Sequence, residues 1–87
     1  MRISVVGTGY VGLPAGAGLA SKGHDITCVD IDEEKVEKIN RGECPIYEKD
    51  LPELLEEVVS DGKLKATTDT KSAVRNSDIT FLAVGTP

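Results

Sequence analysis

The chain has 87 residues, a net charge of -5 at neutral pH, 3% aromatic residues and no tryptophan. A chain of this length forms one domain at most, with a modest core. Its acidic charge and scarce aromatic side chains argue against a nucleic-acid partner, which requires a basic face and surfaces for base stacking. No apolar run approaches the ~20 residues of a membrane span, and no signal peptide is apparent. We therefore expect a cytoplasmic protein with no nucleic-acid or membrane partner.

The two cysteines, Cys28 and Cys44, do not form a disulfide framework or a pattern of metal-ligand spacing. In an intracellular chain such cysteines are usually reduced thiols. We expect two free thiols and no metal site.

The chain opens with an apolar run that leads into three glycines. Residues 2–6 predict the first strand, and Gly7, Gly9 and Gly12 follow in the pattern G-x-G-x-x-G. In a dinucleotide-binding turn the first glycine permits the tight turn, the second lets the backbone approach a pyrophosphate, and the third allows close packing of the helix. This pattern is weak evidence on its own, so the remaining segments must supply its context.

The helix predicted over residues 11–22 contains Gly12, Gly16 and Gly18. A glycine costs about 1 kcal/mol relative to alanine in a helix interior. We expect close approach of this helix to the sheet to offset that cost. The residues predicted to face inward are Leu13, Ala17 and Ala20.

A second strand is predicted over residues 26–30, and Asp30 ends it, 18 residues after Gly12. Read alone, Asp30 fits equally well as an aspartate that merely begins a turn and has no role in binding. Together with the glycine turn, it lies where a dinucleotide-binding fold places the carboxylate that accepts hydrogen bonds from the adenosine ribose. A carboxylate there repels a ribose 2'-phosphate, and no arginine follows closely. The pattern therefore favours NAD over NADP.

The helix predicted over residues 33–41 has Asp32 as its N-cap. Ile31 and Val36 occupy the two positions of a hydrophobic staple. Lys35 lies on the first turn, where a lysine is usually a solvated charge.

The remaining elements complete an alternation of strands and helices that is typical of parallel βαβ units. A third helix follows Asp50 as N-cap, and residues 64–68 predict a third strand whose polar face indicates a sheet edge. Asp69 caps a short helix, and residues 79–84 predict a fourth strand that is nearly all apolar and therefore buried. We predict an α/β fold, the first half of a Rossmann fold, with parallel sheet order 3-2-1-4 and helices on both faces.

Several segments, in register over the whole chain, carry a resemblance to one family. They are Gly7-Thr8-Gly9-Tyr10-Val11-Gly12-Leu13, Val29-Asp30-Ile31-Asp32, Lys35-Val36, Pro45-Ile46-Tyr47-Glu48, Thr67-Thr68-Asp69 and Ala83-Val84-Gly85-Thr86-Pro87. They resemble the N-terminal NAD-binding domain of the UDP-glucose/GDP-mannose dehydrogenase family, the UDP-glucose 6-dehydrogenases above all. The resemblance implies that residues 1–87 are a dinucleotide-binding domain cut after its fourth strand.

The resemblance also implies the role of each site residue. The phosphate turn would consist of Gly7, Gly9, Tyr10, Val11 and Gly12. Asp30 would hold the adenosine ribose, Lys35 would contact the same end of the cofactor, and Thr86 would line the cleft past the fourth strand. The family's nucleophilic cysteine lies downstream, so we expect no catalytic residue here. Cys44 has no base near it in the sequence and is not that nucleophile.

The activity implied for the parent enzyme is oxidation of UDP-glucose to UDP-glucuronate with two NAD. Two departures leave the sugar nucleotide open: Glu48-Lys49-Asp50-Leu51 replaces the family's common Glu-Pro-Gly-Leu, and Pro14 is similar to the N-acetylmannosamine branch. GDP-mannose and UDP-N-acetylmannosamine dehydrogenases, or a non-catalytic NAD-sensing module, are the alternatives. We expect the sugar-nucleotide site to lie mostly outside this chain, the parent enzyme to be a homo-oligomer, and the isolated chain to self-associate through its fourth strand.

Overall fold

In a computed structural model, which describes residues 1–46 and 48–83, strands and helices alternate along the chain. The elements in these residues are β1 (Arg2–Val6), α1 (Gly12–Ser21), β2 (Asp25–Val29), α2 (Glu33–Asn40), α3 (Leu51–Ser60), β3 (Leu64–Thr67), α4 (Thr70–Arg75) and β4 (Ile79–Leu82). No helix among them is long and apolar enough to cross a bilayer.

The four strands form one parallel sheet in the order β3-β2-β1-β4, which confirms the predicted topology. Val6 is in register with Val29 of β2 and with Leu82 of β4, and Val29 is in register with Thr67 of β3. The carboxyl ends of all four strands therefore meet at one edge of the sheet. Ligands bind outside this edge in open α/β sheets.

Helices cover both faces of the sheet, as predicted. Successive residues of a strand point to opposite faces. Ile26 and Cys28 of β2 belong to the apolar core beneath α1 and α3. Thr27, which lies between them, lines a groove together with Ala73 of α4. Helix α4 therefore lies on the face opposite α1.

The glycines of α1 differ in what surrounds them. The inward-facing residues of α1 are buried as predicted: Leu13, Ala17 and Ala20. A Cβ added at Gly16 would stand 3.4 Å from the Cys28 sulfur and 3.4 Å from an Ile26 methyl, so this glycine lies against the sheet. A Cβ added at Gly18 would meet nothing within 4 Å. Close packing therefore accounts for Gly16, and the prediction is wrong for Gly18.

The fourth strand is apolar but not buried, which corrects the burial predicted from its composition. The exposed edge and apolar side chains agree with the surface through which the isolated chain is expected to self-associate. Ile79, Phe81 and Leu82 are 41%, 48% and 77% exposed. In the described residues, β4 is an edge strand of the sheet, and it pairs on one side, with β1. Apolar composition predicts that a strand should be covered, but burial also requires a neighbour. The end of the predicted strand, at Val84, lies outside the described residues.

Two predicted features at helix starts are also wrong. Ile31 is 93% exposed and does not form the staple with Val36, which is buried. Asp50 precedes α3 but makes no capping hydrogen bond, because its backbone is left-handed, with φ of 66°. A capping side chain usually needs an extended backbone at that position.

The outer edge of β3 is closed by a side chain of α2. The amide of Asn40 donates to the Ala66 carbonyl at 3.0 Å and accepts from the Ala66 N–H at 2.8 Å. These two hydrogen bonds satisfy backbone groups that an edge strand would otherwise leave open to pairing. The predicted edge position of this strand is confirmed.

Candidate functional site

The candidate site lies where β1 and β2 end. The Gly7 N–H donates to the Val29 carbonyl at 2.7 Å, and Gly7 has φ of 105°, a backbone conformation that side chains disfavour. The chain thus turns out of β1 while still bonded to the end of β2. As a result, the glycine turn lies directly beside Asp30, the first residue after β2.

The other two glycines of the turn face different surroundings. A Cβ at Gly12 would overlap the Gly7 carbonyl oxygen and stand 3.0 Å from the Ala83 Cβ. Only glycine therefore lets α1 begin this close to the turn. A Cβ at Gly9 would meet no atom of the described residues within 4 Å, so the backbone there is open on the side of the described chain. A ligand can approach the turn from this side.

In the described residues, no side chain caps the N-terminus of α1. The N-cap residue Val11 makes no side-chain hydrogen bond, and the first turn contains no acidic residue. The first N–H groups of a helix lack intrahelical partners and carry partial positive charge. Tyr10 and Val11 are 63% and 72% exposed beside them. The Leu13 N–H donates to the Gly9 carbonyl at 3.1 Å, and Pro14 has no N–H. An anion that reaches this helix end therefore meets the positive potential and the N–H groups that precede Leu13.

The Asp30 carboxylate is held by three hydrogen bonds. Its Oδ2 accepts from the Thr8 hydroxyl at 2.5 Å and from the Thr8 N–H at 3.2 Å. Its Oδ1 accepts from the Asp32 N–H at 2.9 Å. The carboxylate is half-buried, so part of it still faces solvent at the sheet edge.

These contacts favour the ionised form of Asp30. Partial burial alone raises the pKa of this carboxyl, because it disfavours charge. The hydrogen bonds from Thr8 and from the Asp32 N–H, together with the positive charge of Lys35, outweigh burial, and the net effect is a pKa below the ordinary value of 3.8. Asp30 is therefore a carboxylate at neutral pH, able to accept hydrogen bonds from a ligand.

A small cavity of about 150 Å³ adjoins this carboxylate. Its lining residues are Val6, Gly7, Val29, Asp30, Ile31 and Thr70. Most of its exposed surface is apolar, and the fully exposed Ile31 side chain borders it. The cavity offers an apolar shelf next to a charged acceptor.

A larger cavity, about 440 Å³, lies elsewhere, at the connection that leads into α3. Cys44 lines it, and its thiol donates to the Ile46 carbonyl at 3.1 Å. None of the predicted site residues that the structure describes borders this cavity. We place the candidate site at the glycine turn despite the smaller volume there, because the turn combines free donors, a held carboxylate and an open approach.

Both cysteines are free thiols, as predicted. Burial raises the pKa of Cys28 to about 12, so this thiol stays protonated and unreactive at neutral pH. Within the part of the chain that the structure describes, no group of three or more His, Cys, Asp or Glu side chains is placed to hold a metal ion.

The structure brings the predicted residues of the glycine turn and Asp30 together, and Lys35 lies close enough to act electrostatically on Asp30. Thr86 lies outside the described residues. Sequence reasoning did not single out Thr8, which is fully buried and bonded to Asp30. The only sequence signal for it was a hydroxyl residue between the first two glycines.

The comparisons with known proteins agree with this geometry. The family model described as "UDP-glucose/GDP-mannose dehydrogenase family, NAD binding domain" matches residues 1–87. The UDP-glucose 6-dehydrogenase of Rhizobium meliloti is 47% identical over all 87 residues, and the chain spans 20% of its length.

Solved structures give the same result. A ternary complex of GDP-mannose dehydrogenase from Pseudomonas aeruginosa superposes with a TM-score of 0.97 at 45% identity, and the match covers 100% of this chain and 20% of that one. The UDP-N-acetyl-mannosamine dehydrogenase of Staphylococcus aureus superposes at 0.90 and 40% identity, with 100% and 20% covered. The chain thus spans about a fifth of the length of these relatives.

Proposed function

The chain belongs to the UDP-glucose/GDP-mannose dehydrogenase family, and we propose that it is the N-terminal cofactor domain of an enzyme that oxidises UDP-glucose to UDP-glucuronate with two NAD. It corresponds to the NAD binding domain of that family, and NAD is its cofactor. Residues 1–87 form the dinucleotide-binding domain in this proposal. The catalytic groups and most of the sugar-nucleotide site are contributed by other parts of a cytoplasmic, homo-oligomeric parent enzyme.

The observation that carries the proposal is the pairing of an uncapped helix start with a held carboxylate at one sheet edge. The pyrophosphate lies at the N-terminus of α1, where Gly9 leaves the backbone open and Gly12 lets the helix begin close to Gly7. Tyr10 and Val11 flank it. Two negative phosphates meet the N–H groups that precede Leu13 and the positive end of the helix dipole there.

The adenosine ribose lies against Asp30 in this proposal. The carboxylate is ionised, is fixed by the turn, and retains a solvent-facing side that can accept from ribose hydroxyls. Lys35 adds a positive charge near the same end of the cofactor. The adenine ring rests in the small apolar cavity beside Ile31. Thr86 is assigned to the cofactor cleft in this proposal on the sequence resemblance alone.

The choice of UDP-glucose rests on the sequence resemblance, while relatives named for GDP-mannose and UDP-N-acetyl-mannosamine match at similar identity. The test is an assay of the full-length protein that contains this chain, with NAD and each of the three sugar nucleotides in turn. We expect NADH formation with UDP-glucose, at two NADH per sugar nucleotide. Faster turnover of either other substrate would replace UDP-glucose. No NADH with any of them would refute the enzyme proposal.

Asp30→Ala tests the binding site directly. We expect NAD affinity to fall about ten-fold or more, because a hydrogen bond to a charged acceptor is worth about 1.5–3 kcal/mol. NADP affinity should fall less or rise, since the carboxylate no longer repels the 2'-phosphate. Titration of both cofactors gives the ratio, and Asp69→Ala, which removes a carboxylate that caps α4, is the control. Unchanged affinity for both cofactors would remove Asp30 from the site.

A further inference from the structure

Thr8 occupies a place in the turn that the three glycines do not explain. It is the one turn residue with a polar side chain that is fully buried in the described structure, at 0% exposure. Its hydroxyl and its backbone N–H both donate to the same Asp30 oxygen, Oδ2. Because the side chain is closed off from solvent, a cofactor in the site cannot touch it.

A buried hydroxyl needs a partner, and a backbone carbonyl would satisfy it without involving a charged group. Here the partner is instead a carboxylate that stands at the rim of the candidate site. A hydrogen bond from a neutral hydroxyl to a carboxylate is short and strong, and the 2.5 Å distance fits that type. The contact therefore adds to the two backbone hydrogen bonds that hold this carboxylate, and it is the shortest of the three.

We propose that Thr8 is the positioning residue for the ribose acceptor: its hydroxyl ties Oδ2 of Asp30 to the glycine turn and leaves Oδ1 directed toward the ribose. The inference rests on the proposed function. A carboxylate has about four acceptor directions, and Thr8 takes two of them on Oδ2. The Asp32 N–H takes one on Oδ1, so the remaining direction on Oδ1 is the one left for a ligand.

The contact also links the phosphate and ribose ends of the cofactor. Thr8 lies between Gly7 and Gly9, the part of the turn that borders the pyrophosphate. The same residue therefore fixes the distance between the backbone at the phosphates and the carboxylate at the ribose. Preorganisation of this kind lowers the cost of ordering the site when the ligand binds.

The charged groups around Asp30 must be separated from Thr8 in any test that varies pH. The positive charge of Lys35 on α2 also lowers the pKa of Asp30. The Asp32 carboxylate is turned to the α2 amides, accepting from the Glu34 N–H at 3.0 Å, and Asp69 accepts from the Ser72 N–H at 3.0 Å. To keep other carboxyl groups out of the measurement, the signal of the Asp30 carboxyl carbon itself must be followed.

The experiment compares Thr8→Val with Thr8→Ser in the 87-residue chain by NMR. Valine keeps the shape and removes the hydroxyl, whereas serine keeps the hydroxyl. We expect NAD affinity to fall roughly ten-fold in Thr8→Val, by the loss of one hydrogen bond to a charged group, and to stay within about two-fold of wild type in Thr8→Ser. The ratio of NAD affinity to NADP affinity should fall in Thr8→Val and stay unchanged in Thr8→Ser.

The chemical shift of the Asp30 carboxyl carbon, followed against pH, gives a second measurement, the pKa of Asp30. Without the hydroxyl, its pKa should rise, so the pH below which NAD affinity declines should move upward in Thr8→Val and not in Thr8→Ser. Amide spectra at each pH report whether each variant is folded. A loss of stability with unchanged cofactor ratio and unchanged titration would mean a purely structural role and would overturn the proposal.

The two proposals fail in different ways. A wild-type chain that shows no NAD-induced shifts at millimolar concentration would count against the cofactor site itself, and with it against Thr8 as its positioning residue. Wild-type binding together with equal or tighter binding by Thr8→Val would overturn the role of Thr8 alone.

Discussion

The helices α1 and α2 both begin at the carboxyl edge of the sheet, but their N-termini differ in capping. Asp32 caps α2 and accepts from the N–H groups of Glu34 at 3.0 Å and Lys35 at 3.4 Å. Two acidic residues, Glu33 and Glu34, add negative charge to its first turn. In contrast, α1 has Val11 as its N-cap, without a side-chain hydrogen bond and without an acidic residue in its first turn.

This difference indicates that the N-terminus of α2 contributes to stability, whereas the N-terminus of α1 is available for ligand binding. An aspartate cap is worth about 1 kcal/mol, and α2 gains that stabilisation from its own sequence. The α1 terminus has no such side-chain cap in the described residues, and its positive potential remains available to an outside anion. The Asp30 carboxylate is hydrogen-bonded to the glycine turn through Thr8. In the proposed function, the cofactor supplies the negative charge at the start of α1.

Gly12→Ala should break the α1 terminus most severely. The added Cβ would overlap the backbone oxygen of Gly7, and a backbone atom cannot move aside as the end of a side chain can. We expect a loss of stability of about 1–3 kcal/mol and loss of measurable NAD binding. Urea unfolding and an NAD titration measure the two effects.

Gly18→Ala is the matched control, because it is the same substitution in the same helix with nothing within 4 Å of the new Cβ. It should stabilise the chain by about 0.5–1 kcal/mol, since alanine is the better helix former. NAD affinity should not change. If both variants lost binding equally, the flexibility of α1 and not its close approach to the turn would be the reason for its glycines.

Val11→Asp makes α1 resemble α2. A carboxylate at this helix start competes with the phosphates for the same donors, and two like charges a few ångströms apart repel by on the order of 1–4 kcal/mol near a protein surface. We expect NAD affinity to fall at least ten-fold, while stability stays the same or rises by about 0.3–1 kcal/mol. Stability and affinity should move in opposite directions.

The neutral control is Val11→Asn, which has a similar shape but no charge. It should bind NAD more tightly than Val11→Asp at low salt, and the gap between the two should narrow as salt screens the repulsion. Equal binding by both variants at every salt concentration would mean that the phosphates do not lie at this helix end.

The contrast between the two helix starts was partly predictable from the sequence. The glycine spacing and Asp30 predicted the turn and its place at the ends of β1 and β2, because strand alternation determines which ends meet. Asp32 and Asp69 were correctly predicted as caps from residue type alone, and both accept the expected backbone hydrogen bonds.

Other features depend on contacts or conformations that residue type does not encode. Asp50 has the right side chain for a cap but a left-handed backbone, so its oxygens make no capping hydrogen bond. Thr8 and Asp30 are 22 residues apart, and their contact exists only once β1 and β2 pair. The exposure of β4 depends on which strand lies beside it, which its own apolar residues cannot reveal.

Asp32→Ala tests the other half of the contrast and should have the smallest effect. Removal of the cap leaves the α2 donors without their acceptor and should cost about 1 kcal/mol of stability. NAD affinity should change little, because Asp32 contributes its backbone N–H to Asp30, and alanine keeps that N–H. Asp32→Asn, which retains a capping oxygen, should recover most of the stability in the same urea titration.

An affinity that fell with stability in Asp32→Ala and recovered in Asp32→Asn would show that the cap of α2 also helps to hold the ribose acceptor. The two helix starts would then be coupled through Asp30, and their division between stability and binding would be incomplete.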